Sequence, residues 1–296
     1  MRLDVLCIGH ASYDLIFSVP HHPGPDEKCT ATAFTACGGG PAANAAVTVA
    51  RLGGKAAFIG YLGRDLHGQA HLEELVRDGV DTTFVCRGEA PTPLSAVLVK
   101  PNGKRTLVNY RAAQPLLPEA VKWSDWNVQA VLVDGHEPEV SCFFLPQLRG
   151  AGSITVLDAG SLHEGTRRLM FEVDYLVASR KFAAQWLGRD DPQRALQELG
   201  AKSPTVVITL GEEGLIWQRR GERGVLPAFP VTAVDTTGAG DVFHGAFAFA
   251  LAEGRGWFEV LRFASAAAAL CCTKLGARPG IPTRPEVEAF LAKRSI

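Results

Sequence analysis

Short apolar runs alternate with longer, helix-patterned ones along most of this chain, and that alternation limits the fold more than any other feature. Buried strands are predicted over 3–9, 56–61, 83–86, 130–133, 154–157, 175–178 and 206–210. Helices are predicted over 42–53, 66–78, 140–149, 181–187, 192–199, 241–252 and 257–273, with a last one from 285. Apolar strands separated by helices form a mostly parallel sheet covered on both faces. The predicted fold class is therefore α/β, with an antiparallel hairpin over 215–219 and 224–229 at one sheet edge. Ligands of such sheets bind beyond the carboxyl ends of the strands.

Two stretches break the pattern. Residues 11–37 and 92–111 read as short β pieces with prolines and polar positions. The second carries a Pro-Asn-Gly turn at 101–103, a good hairpin signal. Together they predict a small β lid over a core made of 1–10, 38–91 and 112–296. The lid's outer face would be apolar, and burying it against a second copy gives a homodimer.

At 296 residues the chain can bury a large core. Thirty basic residues against 31 acidic give no electrostatic case for nucleic acid or a membrane surface. No stretch approaches the roughly 18 uninterrupted apolar residues of a membrane span. The N-terminal run carries no signal-peptide pattern. Seven cysteines without a CxxC pair read as free thiols in a reducing cytoplasm.

Two glycine-rich helix starts carry the chemistry. One is Gly38-Gly39-Gly40-Pro41. The other lies within 234–247, VDTTGAGDVFHGAF. Gly238, Ala239 and Gly240 let backbone amides approach a ligand, and a helix N-terminus favours an anion. Asp241 sits at that same end, placed to take a proton from an attacking hydroxyl. An ordinary glycine turn with an N-terminal aspartate is the simpler reading of GxGD alone. Two such turns facing one crevice under a lid suggest phosphoryl transfer, which needs anion stabilisation, positioning and water exclusion.

Four segments, 38–53, 59–68, 206–215 and 234–247, resemble the ribokinase (phosphofructokinase B type) family of carbohydrate kinases, almost end to end. The resemblance implies a ribokinase-like fold and an ATP-dependent sugar kinase. It implies Asp241 as base and Gly238, Ala239 and Gly240 as the anion hole. Asp14, Gly39, Gly40 and Asn44 match sugar-contacting positions. Thr209, Gly211 and Gly214 match the nucleotide side, with Gly238 and Gly240. Asp235 and Thr237 fall where many members bind a monovalent cation such as K+.

Within the family the chain looks most like the sulfofructose kinase branch, in 108–120, 235–246 and 262–283. Lys28 and Asn109, on predicted lid strands, with Arg111, would then meet a sulfonate or phosphate on a ketose. His136 stands where that branch is expected to carry arginine, which leaves fructose or fructose 6-phosphate open. Residues 179–188 resemble ketohexokinases. The family's Asn-x-x-Glu, which organises Mg2+, is here Ser179 and Phe182, so Mg2+ would come mainly with the nucleotide. A ribose or nucleoside kinase and an inactive sugar-binding regulator are the alternatives. A dinucleotide dehydrogenase needs GxGxxG after the first strand, and residues 9–12 do not supply it.

Of the remaining histidines, His67 and His71 read as a solvated helix face, His244 as packing, and His21 and His22 as solvated loop residues.

Overall fold

The computed structural model describes residues 2–101, 103–112, 114–122 and 127–294. Asn102, the centre of the expected Asn-Gly turn, lies outside the described residues.

The chain runs β1 (Arg2–Ile8), β2 (Ser12–Ser18), β3 (Ala33–Gly39), α1 (Pro41–Arg51), β4 (Ala56–Gly63), α2 (Leu66–Arg77) and β5 (Val85–Gly88). Next come β6 (Leu94–Val99), β7 (Arg105–Tyr110), β8 (Asn127–Val133), α3 (Pro138–Gly150), β9 (Ile154–Ala159), α4 (Glu164–Leu169) and β10 (Tyr175–Ser179). It continues with α5 (Arg180–Leu187), α6 (Pro192–Gly200), β11 (Thr205–Thr209), β12 (Leu215–Arg219), β13 (Glu222–Leu226) and α7 (Ala239–Ala252). The last elements are α8 (Trp257–Cys271), α9 (Ala277–Gly280) and α10 (Arg284–Ala292).

Nine strands form one sheet in the order β13-β12-β11-β10-β9-β8-β1-β4-β5. Pairing is parallel from β11 through to β5, and β12 and β13 add an antiparallel edge. Its strands are apolar on both sides because both sides are covered. Within β1, Val5 and Cys7 enter the core under α1, α7 and α8, while Leu6 and Ile8 enter the core under α3, α5 and α6. The order reverses at β1: β4 lies on one side and β8 on the other. That reversal opens a crevice at the carboxyl ends of β1 and β8.

β3, β2, β6 and β7 make the second sheet, in that order. β6 alternates half-buried and buried positions along its length, as a sheet covered on one face should. The inward row holds Cys37, Asp14, Ser95 and Asn109 as successive cross-strand neighbours. The outward face carries Leu15, Phe17, Phe34, Leu98, Val108 and Tyr110, with Phe34, Val108 and Tyr110 exposed.

α1 and α7 meet backbone to backbone. A Cβ on Gly245 would lie 2.6 Å from the Ala45 carbonyl oxygen. Small residues on both helices permit that approach, and the two helix N-termini face the same crevice. The short helices α4 and α9 carry too few residues to show a period in the sequence. All seven cysteines are free; Cys7, Cys37 and Cys271 are buried, and the other four are half-buried. Among the described residues no helix is long and apolar enough to cross a membrane.

Candidate active site

Asp241 stands in the first turn of α7. Gly238 precedes the helix with φ 76°, a conformation that glycine adopts freely. A Cβ there would lie 2.4 Å from the Ala277 Cβ. By contrast, a Cβ on Gly240 would meet nothing within 4 Å among the described residues. The turn is thus closed on the Gly238 side and open on the Gly240 side. The Ala239 amide is spent on the Thr236 carbonyl, 3.3 Å away. Those of Gly240 and Asp241 have no carbonyl one turn back within the helix, which leaves two donors for an anion.

The Asp241 carboxylate accepts a hydrogen bond from Asn44 Nδ2 at 2.8 Å, joining α7 to α1. Withdrawal from water pushes its pKa up to about 7, and the nearby Asp158 adds to the rise; the Asn44 donor opposes it. Asp14 is among the charges that raise it further. Asp158, buried at the end of β9, is itself pushed up to about 8 by burial and by Asp134. It lies 3.3 Å from His244 Nδ1. His244 is buried, with Nδ1 2.6 Å from the Gly240 carbonyl and Nε2 3.1 Å from that of Val177. It packs beneath the glycine turn, as expected.

Each glycine of the 38–40 turn leaves room for a different partner. A Cβ on Gly39 would lie 2.1 Å from Asp14 Oδ2, and one on Gly38 2.4 Å from the His71 ring. Gly40 has φ 95°, and a Cβ there would meet the His10 carbonyl at 2.5 Å. Asp14 is buried against this turn. Ser12 Oγ donates to its carboxylate at 2.8 Å. Burial raises the pKa of Asp14, and hydrogen bonds from Ser12 and Ser95 oppose the rise. Sequence reasoning missed both serines. The alternation in 94–100 could have shown that Ser95 shares a face with the inward residues.

Asp134 was also missed, and it organises the crevice. Its Oδ2 accepts from the His10 and Ala42 amides at 2.8 and 3.2 Å, and its Oδ1 accepts from the His136 amide at 2.8 Å. One carboxylate thereby fixes the end of β1, the start of α1 and its own loop. Gly9 is required for this, since a Cβ there would lie 2.0 Å from Asp134 Oδ1. His136 stacks on His163 at 4.6 Å and sits 5.2 Å from the His10 ring. Burial and the His136 ring lower His10 to about 3 and His163 to about 4, so both are neutral at physiological pH.

The cationic residues differ from expectation. Lys28 is not on a lid strand; it lies exposed in the loop between β2 and β3, which begins only at Ala33. Arg111 Nη2 donates to buried Glu137 Oε1 at 2.7 Å, and its guanidinium also reaches the His136 carbonyl. Burial nevertheless raises Glu137 to about 7. Arg105 of β7 reaches the other glycine loop, where Nη1 donates to Thr236 Oγ1 at 2.8 Å. Asn109 is exposed on β7.

His71 is a correction. It does not lie on a solvated face: it is fully buried, with Nε2 3.0 Å from Arg278 Nη2. The i,i+4 partner His67 is half-buried against Tyr13, ring to ring at 5.1 Å.

On the nucleotide side, Thr209 ends β11 and its hydroxyl donates to the Ala178 carbonyl at 3.4 Å. Gly211 is exposed, and a Cβ there would meet nothing within 4 Å among the described residues. Gly214 is glycine for packing: a Cβ would meet the Leu226 carbonyl at 2.1 Å. Ser179 caps α5 by accepting from the Phe182 amide at 3.0 Å, and Phe182 is buried in the core. Neither is free to hold a metal, and no cluster of metal-ligating side chains occurs among the described residues. Asp235 accepts from the Thr237 amide and hydroxyl at 2.9 and 2.7 Å and from the Gly276 amide at 2.9 Å.

A doubly covered parallel sheet, a second small sheet and paired glycine turns define a class of α/β kinases, and comparison agrees. The model of the pfkB family of carbohydrate kinases matches residues 2–284, and the chain belongs to that family. It is 31% identical over 303 residues to a ribokinase of Haemophilus influenzae, covering 98% of this chain and 99% of the relative. It is 32% identical over 292 residues to fructokinase-1 of Oryza sativa subsp. japonica, covering 87% and 89%. The structure of Arabidopsis thaliana ribokinase complexed with ribose and ATP superposes with a TM-score of 0.84 at 27% identity, covering 98% of this chain and 99% of that one. The fold is ribokinase-like.

Proposed function

We propose that this carbohydrate kinase transfers the γ-phosphate of ATP to a sugar hydroxyl, with Asp241 as general base. One observation carries the reading: a carboxylate in the first turn of α7, beside open helix amides and bonded to Asn44 of α1, with burial pushing its pKa up to about 7. The sugar would lie between Asp14, 39–44 and the small sheet, which serves as its lid. The triphosphate would approach over Thr209 and Gly211, with its last phosphate at 238–241. The sugar oxygen attacks the γ-phosphorus, its proton passes to Asp241, and the bond to the bridging oxygen breaks to release ADP. The amides of Gly240 and Asp241 meet the charge on the transferred group. Mg2+ would shield the phosphates, arriving with the nucleotide; Ser179 and Phe182 are spent on capping and core, so no protein ligand is assigned to it.

Ribose and a ketohexose are equal candidates for the acceptor, since a ribokinase and a fructokinase match at similar identity. A neutral sugar is favoured over a sulfonated or phosphorylated one. Arg111 is committed to Glu137, Lys28 lies in an exposed loop, and His10 and His163 are neutral. Thr237 donates to Asp235, and Asp235 also accepts from the Gly276 amide, at the position where K+ would bind. The apolar outer face of the small sheet suits a second copy of the chain, and a monomer by light scattering at micromolar concentration would count against this dimer.

ADP release should be measured over ribose, fructose, fructose 6-phosphate, sulfofructose and nucleosides, with and without K+. Turnover with ribose or fructose is expected. Sugar binding without ADP release for every sugar would instead indicate a regulator.

A further inference from the structure

We propose that Arg278 is a positioning residue that sets the orientation of the Asn44 amide, and through it the state of Asp241. The inference rests on the reading of Asp241 as base. Arg278 belongs to α9, near the end of the chain, and is 4% exposed. Its Nε donates to Asn44 Oδ1 at 3.3 Å, while Asn44 Nδ2 donates to Asp241 Oδ2 at 2.8 Å. Asn44 is buried, so water does not substitute for either partner. An amide has one accepting end and one donating end. With a guanidinium on one side and a carboxylate on the other, only one orientation satisfies both. Rotated by 180°, the amide would set its oxygen against the carboxylate and its NH2 against the cation, leaving buried groups unpaired.

The guanidinium is itself held from several directions. Nη2 lies 3.0 Å from His71 Nε2. Among the described residues Nη1 has no hydrogen-bond partner, and it lies 3.8 Å from Glu74 and 3.9 Å from Asp78. Arg51 of α1 donates to the Arg278 carbonyl at 2.8 Å and pairs with Asp78. Cys37 of β3 faces the same charge. A planar, permanently charged fork fits this setting; a lysine would keep the charge and lose the fixed Nε donor. Asp241 in turn faces Asn44 of α1, Asp158 of β9, Asp14 of β2 and His244 on its own helix. Of these, Asn44 supplies the neutral N–H donor, and the orientation of its amide depends on Arg278.

The test uses the sugar that gives ADP release, with R278M, R278K, N44A, D241N and R278M/N44A. R278M should lower kcat by about 10–100-fold, with KM for ATP changed by less than about 3-fold. The acid limb of its kcat/KM profile should move to higher pH, because Asp241 loses its N–H donor. R278K keeps a cation between Glu74 and Asp78, so it tests the same limb if R278M folds poorly. In the N44A background, R278M should cost no more than about 2-fold further, since both changes break one chain of contacts. Losses that multiply in the double variant, or an R278K profile and turnover equal to wild type, overturn the proposal alone. Wild-type turnover in D241N overturns the base reading and the proposal with it.

Discussion

Gly245 of α7 faces Ala45 of α1 with so little space that a Cβ would lie 2.6 Å from the Ala45 carbonyl oxygen and 2.9 Å from its Cα. Ala45 follows Asn44, and Gly245 lies one turn after Asp241. The contact between these two helices therefore sets the 2.8 Å bond between Asn44 and Asp241.

Replacing Gly245 with Ala should force the helices apart. The neighbour is backbone, which cannot swing away. We expect a loss of about 1–3 kcal/mol in stability and a fall in kcat larger than any change in KM for ATP. Denaturant unfolding and steady-state kinetics check this; a variant with wild-type kcat would show that the spacing does not govern the site.

Asp241→Asn removes the proton acceptor and preserves the shape. Turnover should fall by about 10²–10⁴, while ATP binding by calorimetry stays near wild type. In the wild-type enzyme, kcat/KM should fall as pH drops below about 7, as Asp241 becomes protonated. A profile flat from pH 6 to 8 would contradict that assignment.

Asp14→Ala should act on the sugar. KM for the sugar is expected to rise by at least about 10-fold with KM for ATP unchanged. Ser95→Ala, which removes one hydroxyl facing Asp14, should move the same parameter less. Equal effects on both KM values would place Asp14 outside the acceptor pocket.

Asp158 gives a prediction about stability. Its folded pKa, about 8, lies above the ordinary aspartate value. Between those values the unfolded chain has released the proton and the folded chain retains it, so folding stability falls as pH rises from about 4 to 8. Asp158→Asn cannot ionise and should lose less stability over that range, by about 3 °C or more in Tm between pH 5 and pH 8.5. Asp134, His244 and Asp241 face this carboxylate, so part of the slope should remain.

The sequence pattern was enough to read the α/β class, the antiparallel edge and the two glycine turns. Apolar runs and glycine starts are local signals, and a parallel sheet follows from them. Partners brought together by the fold were less legible. The i,i+4 pair His67 and His71 looked like a solvated face, because nothing near residue 71 indicates that Arg278 will arrive from the end of the chain. Asp134 carried no special signal, since two of its three donors are the amides of His10 and Ala42. Lys28, expected on a lid strand, lies in a loop because β3 begins only at Ala33, where it pairs with Ser18.

The bonds that build the candidate site span long stretches of chain: 124 residues from His10 to Asp134, 197 from Asn44 to Asp241 and 234 from Asn44 to Arg278. Closing loops of that length is entropically unfavourable until the intervening structure has formed. During synthesis, β1, α1 and β4 can associate early, yet Asn44 receives its last partner only after α9 has been made. The ability to act on a sugar should therefore appear late in folding, and a chain cut before Arg278 should hold most of its sheet and little of its activity.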